Sequence, residues 1–238
     1  MRPEGLAVLG TGTGVGKTVV TAALGMALRA GGCPFAVWKP VSTGGVRRGR
    51  RYVSGDAIWL RRVLGLPEPV EEIGTVCLRL PLAPAVAGRL ERTPVDLGAL
   101  RRRWSALGAS GRFVLVEGVG GALVPLRGRV AVADFVAGLN LPAIVVGTAG
   151  LGTINHTLLT LEAVRARGIR VAGVVLNGAR GRDPSERTNP GAIAALGRTR
   201  VIAVLPWLAG VRTDRSPLRR LARRLPAREI LRAGRRVR

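Results

Sequence analysis

The chain has 238 residues, of which 47% are hydrophobic and 22% are charged, and its formal net charge is +24. This length and composition indicate one globular domain with a buried core and exclude a disordered chain. The basic excess would suit a nucleic-acid ligand, but aromatic residues make up only 3% of the chain, so stacking platforms for bases are not indicated. We therefore favour a solvated basic surface over a nucleic-acid-binding face.

The first predicted strand, residues 6–9, leads directly into the sequence GTGTGVGKT and then into a predicted helix over residues 18–30. A glycine-rich turn between a strand and a helix is the setting of a phosphate-binding loop. The strict pattern would place glycine at position 11, where this chain has Thr11, so the loop is a variant. A dinucleotide fingerprint is excluded because Val15 occupies its third glycine position. The predicted nucleotide-binding residues are Gly14, Val15, Gly16, Lys17 and Thr18.

Short apolar runs and stretches with helical spacing alternate along the rest of the chain, which predicts an α/β fold. Continuous apolar strands indicate a mostly parallel sheet with helices on both faces, a three-layer architecture like that of P-loop NTPases. Ligands are then expected at the carboxyl ends of the strands. The predicted strands are residues 6–9, 35–38, 113–116, 143–146, 171–176 and 201–205. The predicted helices are residues 18–30, 56–64, 97–107, 131–137, 153–167 and 189–196.

Lysine is scarce in this chain. Lys17 and Lys39 are the only lysines, and the other 36 of the 38 lysine and arginine residues are arginines. An ammonium and a guanidinium are not interchangeable at a phosphate site, so retained lysines are candidates for function. Lys39 begins the sequence KPVSTG at the predicted end of the second strand, and we expect it to project over bound phosphates. Thr43, in the same sequence, could donate its hydroxyl to a phosphate or substrate, or could cap the turn.

Two carboxylates are candidate Mg²⁺ ligands. Asp56 lies in the sequence SGDA at a predicted helix start, where it could alternatively serve as an N-cap. Glu117 follows four apolar strand residues, and a carboxylate buried there needs a cation. Nucleotide-bound Mg²⁺ commonly takes one or two carboxylates, so Thr18, Asp56 and Glu117 form the predicted metal site.

Other segments could contact the substrate or the base. Gly118 and Gly121 follow Glu117 and would let a substrate approach the backbone. The helix that begins at Thr153 could hold a substrate carboxylate at its N-terminus. Asn177 could read an adenine edge or close a turn.

Residues 209–238 are rich in arginine and have helical spacing, so we predict a helical appendage of the domain formed by residues 1–208. No apolar stretch reaches the length of a membrane span, and the first five residues lack the layout of a signal peptide. We therefore expect a cytoplasmic protein without a membrane partner.

In these motifs the chain resembles the dethiobiotin synthetases. The matching sequences are GTGTGVGKT, KPVSTG, SGDA, VLVEGVGG, LGTINHTLLT, GVVLNG and LPWL, which run in family order from Gly10 to Leu208. Gly12 is a departure, because the family usually has an acidic or polar residue there.

The resemblance implies ATP- and Mg²⁺-dependent closure of a ureido ring from 7,8-diaminononanoate and CO₂, in a homodimer whose substrate site is shared across the interface. It implies that Lys17, Lys39 and Thr43 act on the phosphoryl and carbamate groups, and that Asn177 and Pro206 lie at the adenine. Gly118, Gly121, Thr153 and Asn155 would then contact the diamine substrate.

Two other functions remain open from the sequence. A ParA/MinD-like nucleotide-switch ATPase would share the phosphate loop and could bind DNA with its basic surface, but its loop would carry an additional lysine at position 12. An amidotransferase-linked synthetase would require a glutaminase domain after residue 208.

Overall fold

The computed structural model describes residues 3–235. Met1, Arg2 and residues 236–238, which include the chain start and the last part of the predicted helical appendage, lie outside the described residues.

The strands of the described residues are β1 (Gly5–Gly10), β2 (Phe35–Ser42), β3 (Val46–Arg48), β4 (Arg51–Val53), β5 (Gly74–Cys77), β6 (Phe113–Glu117), β7 (Pro125–Arg127), β8 (Val130–Ala131), β9 (Ala143–Thr148), β10 (Val171–Ala179) and β11 (Val201–Pro206). Seven parallel strands form the central sheet, in the order β11-β10-β9-β1-β6-β2-β5. Two small antiparallel hairpins, β3–β4 and β7–β8, lie outside it.

Ten helices occur in the described part of the chain, and they cover both faces of the sheet. They are α1 (Lys17–Ala30), α2 (Gly55–Leu64), α3 (Val70–Ile73), α4 (Pro84–Leu90), α5 (Leu97–Gly108), α6 (Val132–Leu139), α7 (Thr153–Arg165), α8 (Ser185–Leu196), α9 (Arg215–Ala222) and α10 (Ala227–Gly234). Within residues 3–235, none of these helices has the length and apolar character needed to cross a bilayer.

The strand β1 shows how the two faces are divided. Leu6 and Val8 pack into the core under α1 and α2, whereas Ala7 and Leu9 pack into the core under α5 and α6. This alternation follows from the period of two along a strand, and all four side chains are fully buried. The predicted three-layer α/β fold with a parallel sheet is confirmed.

The prediction that the second strand ends before Lys39 was wrong. The strand β2 continues to Ser42 because β5, which the sequence reading did not identify, pairs with its second half: Lys39 is opposite Gly74 and Val41 is opposite Val76. A proline cannot donate a ladder hydrogen bond. Pro40 is tolerated within β2 because the pairing of β2 with β6 has already ended at Trp38.

We propose that the arginine-rich C-terminal segment belongs to the same folding unit as residues 1–208. The helices α9 and α10 place Leu218, Leu221 and Ile230 in the core that contains α1 and α2, and each of these side chains is at most 3% exposed. Their burial supports the view that the segment contributes to the stability of the domain.

A leucine pair tests this proposal. Leu221→Ala is expected to lower the free energy of unfolding by about 2–5 kcal/mol, because it leaves a cavity in the core. Leu196→Ala removes a side chain that is 67% exposed and is expected to change stability by less than about 0.5 kcal/mol. Urea unfolding measures both changes. If Leu221→Ala lowers the free energy of unfolding no more than Leu196→Ala does, the proposal is contradicted.

Candidate active site

The loop after β1 has the backbone geometry of a phosphate cradle. Gly14 and Gly16 have φ angles of +79° and +92°, a region that glycine enters without steric cost. At Gly16 a Cβ atom would lie 2.0 Å from the Asn177 Nδ2 atom, so a larger residue could not occupy this position without displacing Asn177. Lys17 begins α1 and donates from Nζ to the Gly12 carbonyl oxygen over 2.8 Å.

A buried network of charged and hydroxyl groups lies beside this loop. The Lys39 Nζ atom is 2.5 Å from Glu117 Oε1 and 2.9 Å from Asp56 Oδ2. Thr18 donates its hydroxyl to the same Glu117 oxygen over 2.7 Å. The Glu117 side chain is fully buried and that of Lys39 is 5% exposed, whereas that of Asp56 is 33% exposed. The network therefore joins α1, β2, α2 and β6 at one edge of the sheet.

The charges in the network shift the pKa values of its members. Burial alone would lower the pKa of Lys39, but the carboxylates of Glu117 and Asp56 outweigh it and raise that pKa. Burial likewise opposes ionisation of Asp56, yet Lys39 and Arg212 hold its pKa below the usual range. At Lys17, burial and then the charge of Lys39 lower the pKa to about 8. The carboxylates therefore favour the charged form of Lys39, whereas burial and the charge of Lys39 favour the neutral form of Lys17.

A cavity of about 440 Å³ opens onto the loop and the network. Two larger cavities, of about 650 and 1230 Å³, lie elsewhere on the surface, and none of the predicted site residues lines either of them. We assign the candidate site to the smaller cavity because it contains both lysines and is large enough for polar ligand groups. The predicted site residues that line this cavity are Gly14, Gly16, Lys17, Thr18, Lys39, Thr43 and Asp56.

The residues present fit a nucleotide-bound Mg²⁺ ion. Glu117 Oε2 is buried and has no hydrogen-bond partner among the described residues, and an orphaned buried carboxylate oxygen is suited to a cation. Residues 3–235 hold no group of three or more His, Cys, Asp and Glu residues that could bind a metal by themselves. Phosphate oxygens would therefore have to complete the ligand set of Thr18, Asp56 and Glu117.

The other predicted site residues do not line this cavity. Gly118 follows β6, and Asn177 lies within β10, from which its amide donates to the Val15 carbonyl over 3.1 Å. Asn177 thus supports the phosphate loop, a contact that the sequence did not indicate. Pro206 is the last residue of β11, the neighbouring strand. Gly121 lies near the start of the phosphate loop, where a Cβ atom would be 3.4 Å from the Thr11 carbonyl oxygen.

The start of α7 lies outside the cavity. Thr153 is 1% exposed, and its hydroxyl is 3.4 Å from that of Thr157. Asn155 faces the surface and is not among the cavity-lining residues. The predicted contacts of Thr153 and Asn155 with a substrate therefore remain predictions.

Sequence reasoning missed Arg212, which lines the cavity from the segment that follows β11. Its Nη1 atom is 3.6 Å from Asp56 Oδ1, so Asp56 lies between two cations, Arg212 and Lys39. One arginine in an arginine-rich chain carries no distinguishing signal, and only the fold brings it to the site. Ser42 also lines the cavity, and its hydroxyl donates to that of Ser54 over 2.8 Å.

Comparisons with known proteins identify the sequence family of the chain. A family profile described as an AAA domain matches residues 4–215. The ATP-dependent dethiobiotin synthetase of Anaeromyxobacter sp. (strain K) is 47% identical over 208 residues, which are 86% of this chain and 90% of that protein. The corresponding protein of Anaeromyxobacter dehalogenans (strain 2CP-C) is 45% identical with the same coverage.

Solved structures of a different functional class share the fold. The cell division ATPase MinD of Pyrococcus furiosus matches with a TM-score of 0.58 over 98% of this chain and 99% of its own, at 19% sequence identity. At that identity the likeness concerns the P-loop ATPase fold alone, and it does not favour the switch ATPase as a function. By sequence, the chain belongs to the family of ATP-dependent dethiobiotin synthetases, which are ligases of biotin biosynthesis.

Proposed function

We propose that this protein closes the ureido ring of dethiobiotin from 7,8-diaminononanoate and CO₂, with ATP and Mg²⁺, releasing ADP and phosphate. The observation that carries the proposal is the buried Lys39 ammonium, which lies between Asp56 and Glu117 in the same cavity as the phosphate loop. An ammonium held between two carboxylates at this position suits a reaction in which an anionic carbamate receives a phosphoryl group.

The proposed reaction has three steps. One amine of the diamine forms a C–N bond with CO₂ and loses a proton, which gives a carbamate. A carbamate oxygen attacks the γ-phosphorus of ATP, and ADP leaves. The second amine then attacks the carbonyl carbon of the resulting carbamic–phosphoric anhydride, loses a proton and expels phosphate as the ring closes.

The protein residues would align the reactants and offset negative charge in these steps. Lys17 would bind the β- and γ-phosphates, and Lys39 would contact both the carbamate and the transferred phosphoryl group. The Thr43 hydroxyl would orient the amine or the γ-phosphate. Mg²⁺, held by Thr18, Asp56 and Glu117, would neutralise charge on the phosphate oxygens.

The remaining substrate contacts are proposed from the placement of the chain around the cavity. Gly118 and Gly121 would let the diamine approach the backbone next to Glu117. Asn177 and Pro206 lie on neighbouring strands, β10 and β11, and would hold the adenine there. The Asn177 amide already donates to Val15, so its carbonyl oxygen would be the group that accepts from adenine.

We further propose a homodimer in which the start of α7, with Thr153 and Asn155, offers backbone N–H groups to the substrate carboxylate of the partner subunit. In support, Leu151 is 89% exposed and Leu159 is 56% exposed on this segment, so a dimer interface here would remove apolar surface from water. Light scattering should give twice the chain mass, and a monomer at micromolar concentration would contradict the dimer.

The lowered pKa of Lys17 predicts a pH-dependent affinity for ATP. A phosphate needs the ammonium form, and free Lys17, with a pKa of about 8, loses its proton as the pH rises. Binding at pH 9 must then include proton uptake, so the Kd for ATP should rise about tenfold between pH 7 and pH 9. Titration calorimetry measures this change.

Lys17→Arg is the control for this prediction. Arginine stays charged throughout this range, so the variant should bind ATP more weakly but with little change between pH 7 and pH 9. An equal pH slope in both proteins would show that another group causes the effect.

Phosphate release from ATP tests the proposed function. It should be strongly stimulated when 7,8-diaminononanoate and bicarbonate are both present, and omission of either should abolish the stimulation. Phosphate release that needs neither compound but increases with DNA would instead favour a switch ATPase that binds DNA through its basic surface.

A further inference from the structure

The segment from Trp207 to Asp214 connects the two ends of the candidate nucleotide site. It begins directly after Pro206, at the end of β11, and leads to α9. Along this path Arg212 enters the lining of the cavity that contains Lys17, Thr18 and Lys39. The segment therefore runs from the proposed adenine end of the site to its phosphate end.

Contacts with two residues of α2 hold Arg212 at this place. Its carbonyl oxygen accepts hydrogen bonds from Trp59 Nε1 over 2.8 Å and from Arg62 Nη2 over 3.0 Å. Its guanidinium lies 5.3 Å from the centre of the Trp59 ring, within the range of a cation–π contact. The backbone and the side chain are thus both positioned before any ligand arrives, which lowers the entropic cost of using them.

The guanidinium retains donors for a ligand. The separation of 3.6 Å between Arg212 Nη1 and Asp56 Oδ1 is longer than a hydrogen bond, and the side chain is 57% exposed. Lys39 binds the other Asp56 oxygen over 2.9 Å, so Arg212 lies beside the Asp56 carboxylate, which also lines the cavity. A planar guanidinium presents several donors in a fork that matches two phosphate oxygens.

We propose that Arg212 binds the γ-phosphate of the nucleotide and distinguishes the triphosphate from the diphosphate. The proposal rests on the proposed function only in taking ATP as the nucleotide. Lys17, at the start of α1, would hold the β- and γ-phosphates from one side, and Arg212 would contact the γ-phosphate from the other. Loss of the γ-phosphate would then release this contact and favour departure of ADP.

Nucleotide binding without the diamine tests the proposal. In Arg212→Gln the affinity for the non-hydrolysable analogue AMPPNP with Mg²⁺ should fall at least about tenfold, the effect of losing one charge-assisted phosphate contact. The affinity for ADP with Mg²⁺ should fall less than about threefold. Arg212→Lys, which keeps the charge without the fork, should lie between Arg212→Gln and the wild type.

Arg215→Gln is the matched control, because it removes the same charge three residues further along and lies at a different cavity. It should leave both affinities unchanged. Equal losses for AMPPNP and ADP in Arg212→Gln would overturn the proposal in favour of a merely structural role, and so would unchanged binding of AMPPNP. Because no diamine is present, this outcome is independent of whether the protein makes dethiobiotin.

Discussion

Replacing Lys39 by glutamine is expected to lower kcat for diamine-dependent phosphate release by about 10²–10³-fold, the effect of losing one preorganised group that stabilises developing charge. Binding of ATP should change much less, because Lys17 and the loop backbone remain. The reason is the position of Lys39: its ammonium is held by Glu117 and Asp56 and faces the cavity in which the phosphoryl group would be transferred.

The same substitution should also reduce stability. Without the ammonium the Glu117 carboxylate is left buried with no cation, and breaking a buried pair in this way costs about 3–5 kcal/mol. The double variant Lys39→Gln with Glu117→Gln should recover part of this loss, because it removes the unpaired charge. Turnover must therefore be measured under conditions in which circular dichroism shows that each variant is folded.

Arg103→Gln is a suitable control for the loss of turnover. Arg103 pairs with Glu72 over 2.8 Å at the surface, where an ion pair contributes about 0–1 kcal/mol to stability. The Arg103→Gln variant should therefore stay folded, and its kcat should equal that of the wild type. If a folded Lys39→Gln variant kept the wild-type kcat, the assignment of Lys39 as a catalytic residue would be wrong.

The second large effect is expected for Glu117→Gln. The substitution preserves the shape of the side chain but removes the negative charge and the free Oε2 acceptor that we assign to Mg²⁺. The Mg²⁺ concentration for half-maximal activity should rise at least about tenfold, in line with the effect of perturbing a metal site. Activity titrated with Mg²⁺ at constant ATP measures this directly.

Glu72→Gln, at the same surface pair as Arg103, controls for the loss of one carboxylate and should leave the Mg²⁺ requirement unchanged. A second readout is the Mg²⁺ dependence of AMPPNP binding, which should weaken in Glu117→Gln even if turnover is too low to measure. An unaltered Mg²⁺ requirement in both assays would remove Glu117 from the proposed metal site.

Much of the fold and the centre of the site could be predicted because local signals coincide there. The glycine-rich sequence before Lys17 specifies both a backbone geometry and a ligand type, and Gly14 and Gly16 have the positive φ angles that such a loop uses. Glu117 could be identified because a carboxylate at the end of an apolar strand requires a cation. The structure supplies that cation as Lys39, which the sequence had assigned to the ligands and not to Glu117.

What could not be predicted depends on contacts that are distant in the sequence. Lys39 lies within β2 because β5, a strand of only four residues, pairs with it, and such a short strand has no clear periodicity. Arg212 reaches the site because Trp59 and Arg62 bind its backbone from α2, about 150 positions earlier. The C-terminal helices show strong arginine patterning, but their few buried leucines determine where they pack.

In the proposed reaction, carbon from CO₂ becomes the ureido carbon while ATP is converted to ADP, and incorporation of labelled carbon measures this step. The protein is incubated with 7,8-diaminononanoate, ¹³C-bicarbonate, ATP and Mg²⁺, and the product is analysed by mass spectrometry together with the ADP formed. Wild-type protein should form singly labelled dethiobiotin in equal amount to ADP, and Lys39→Gln should form at least about 10²-fold less in the same time. ADP formation by the folded wild-type protein without any labelled product would contradict it.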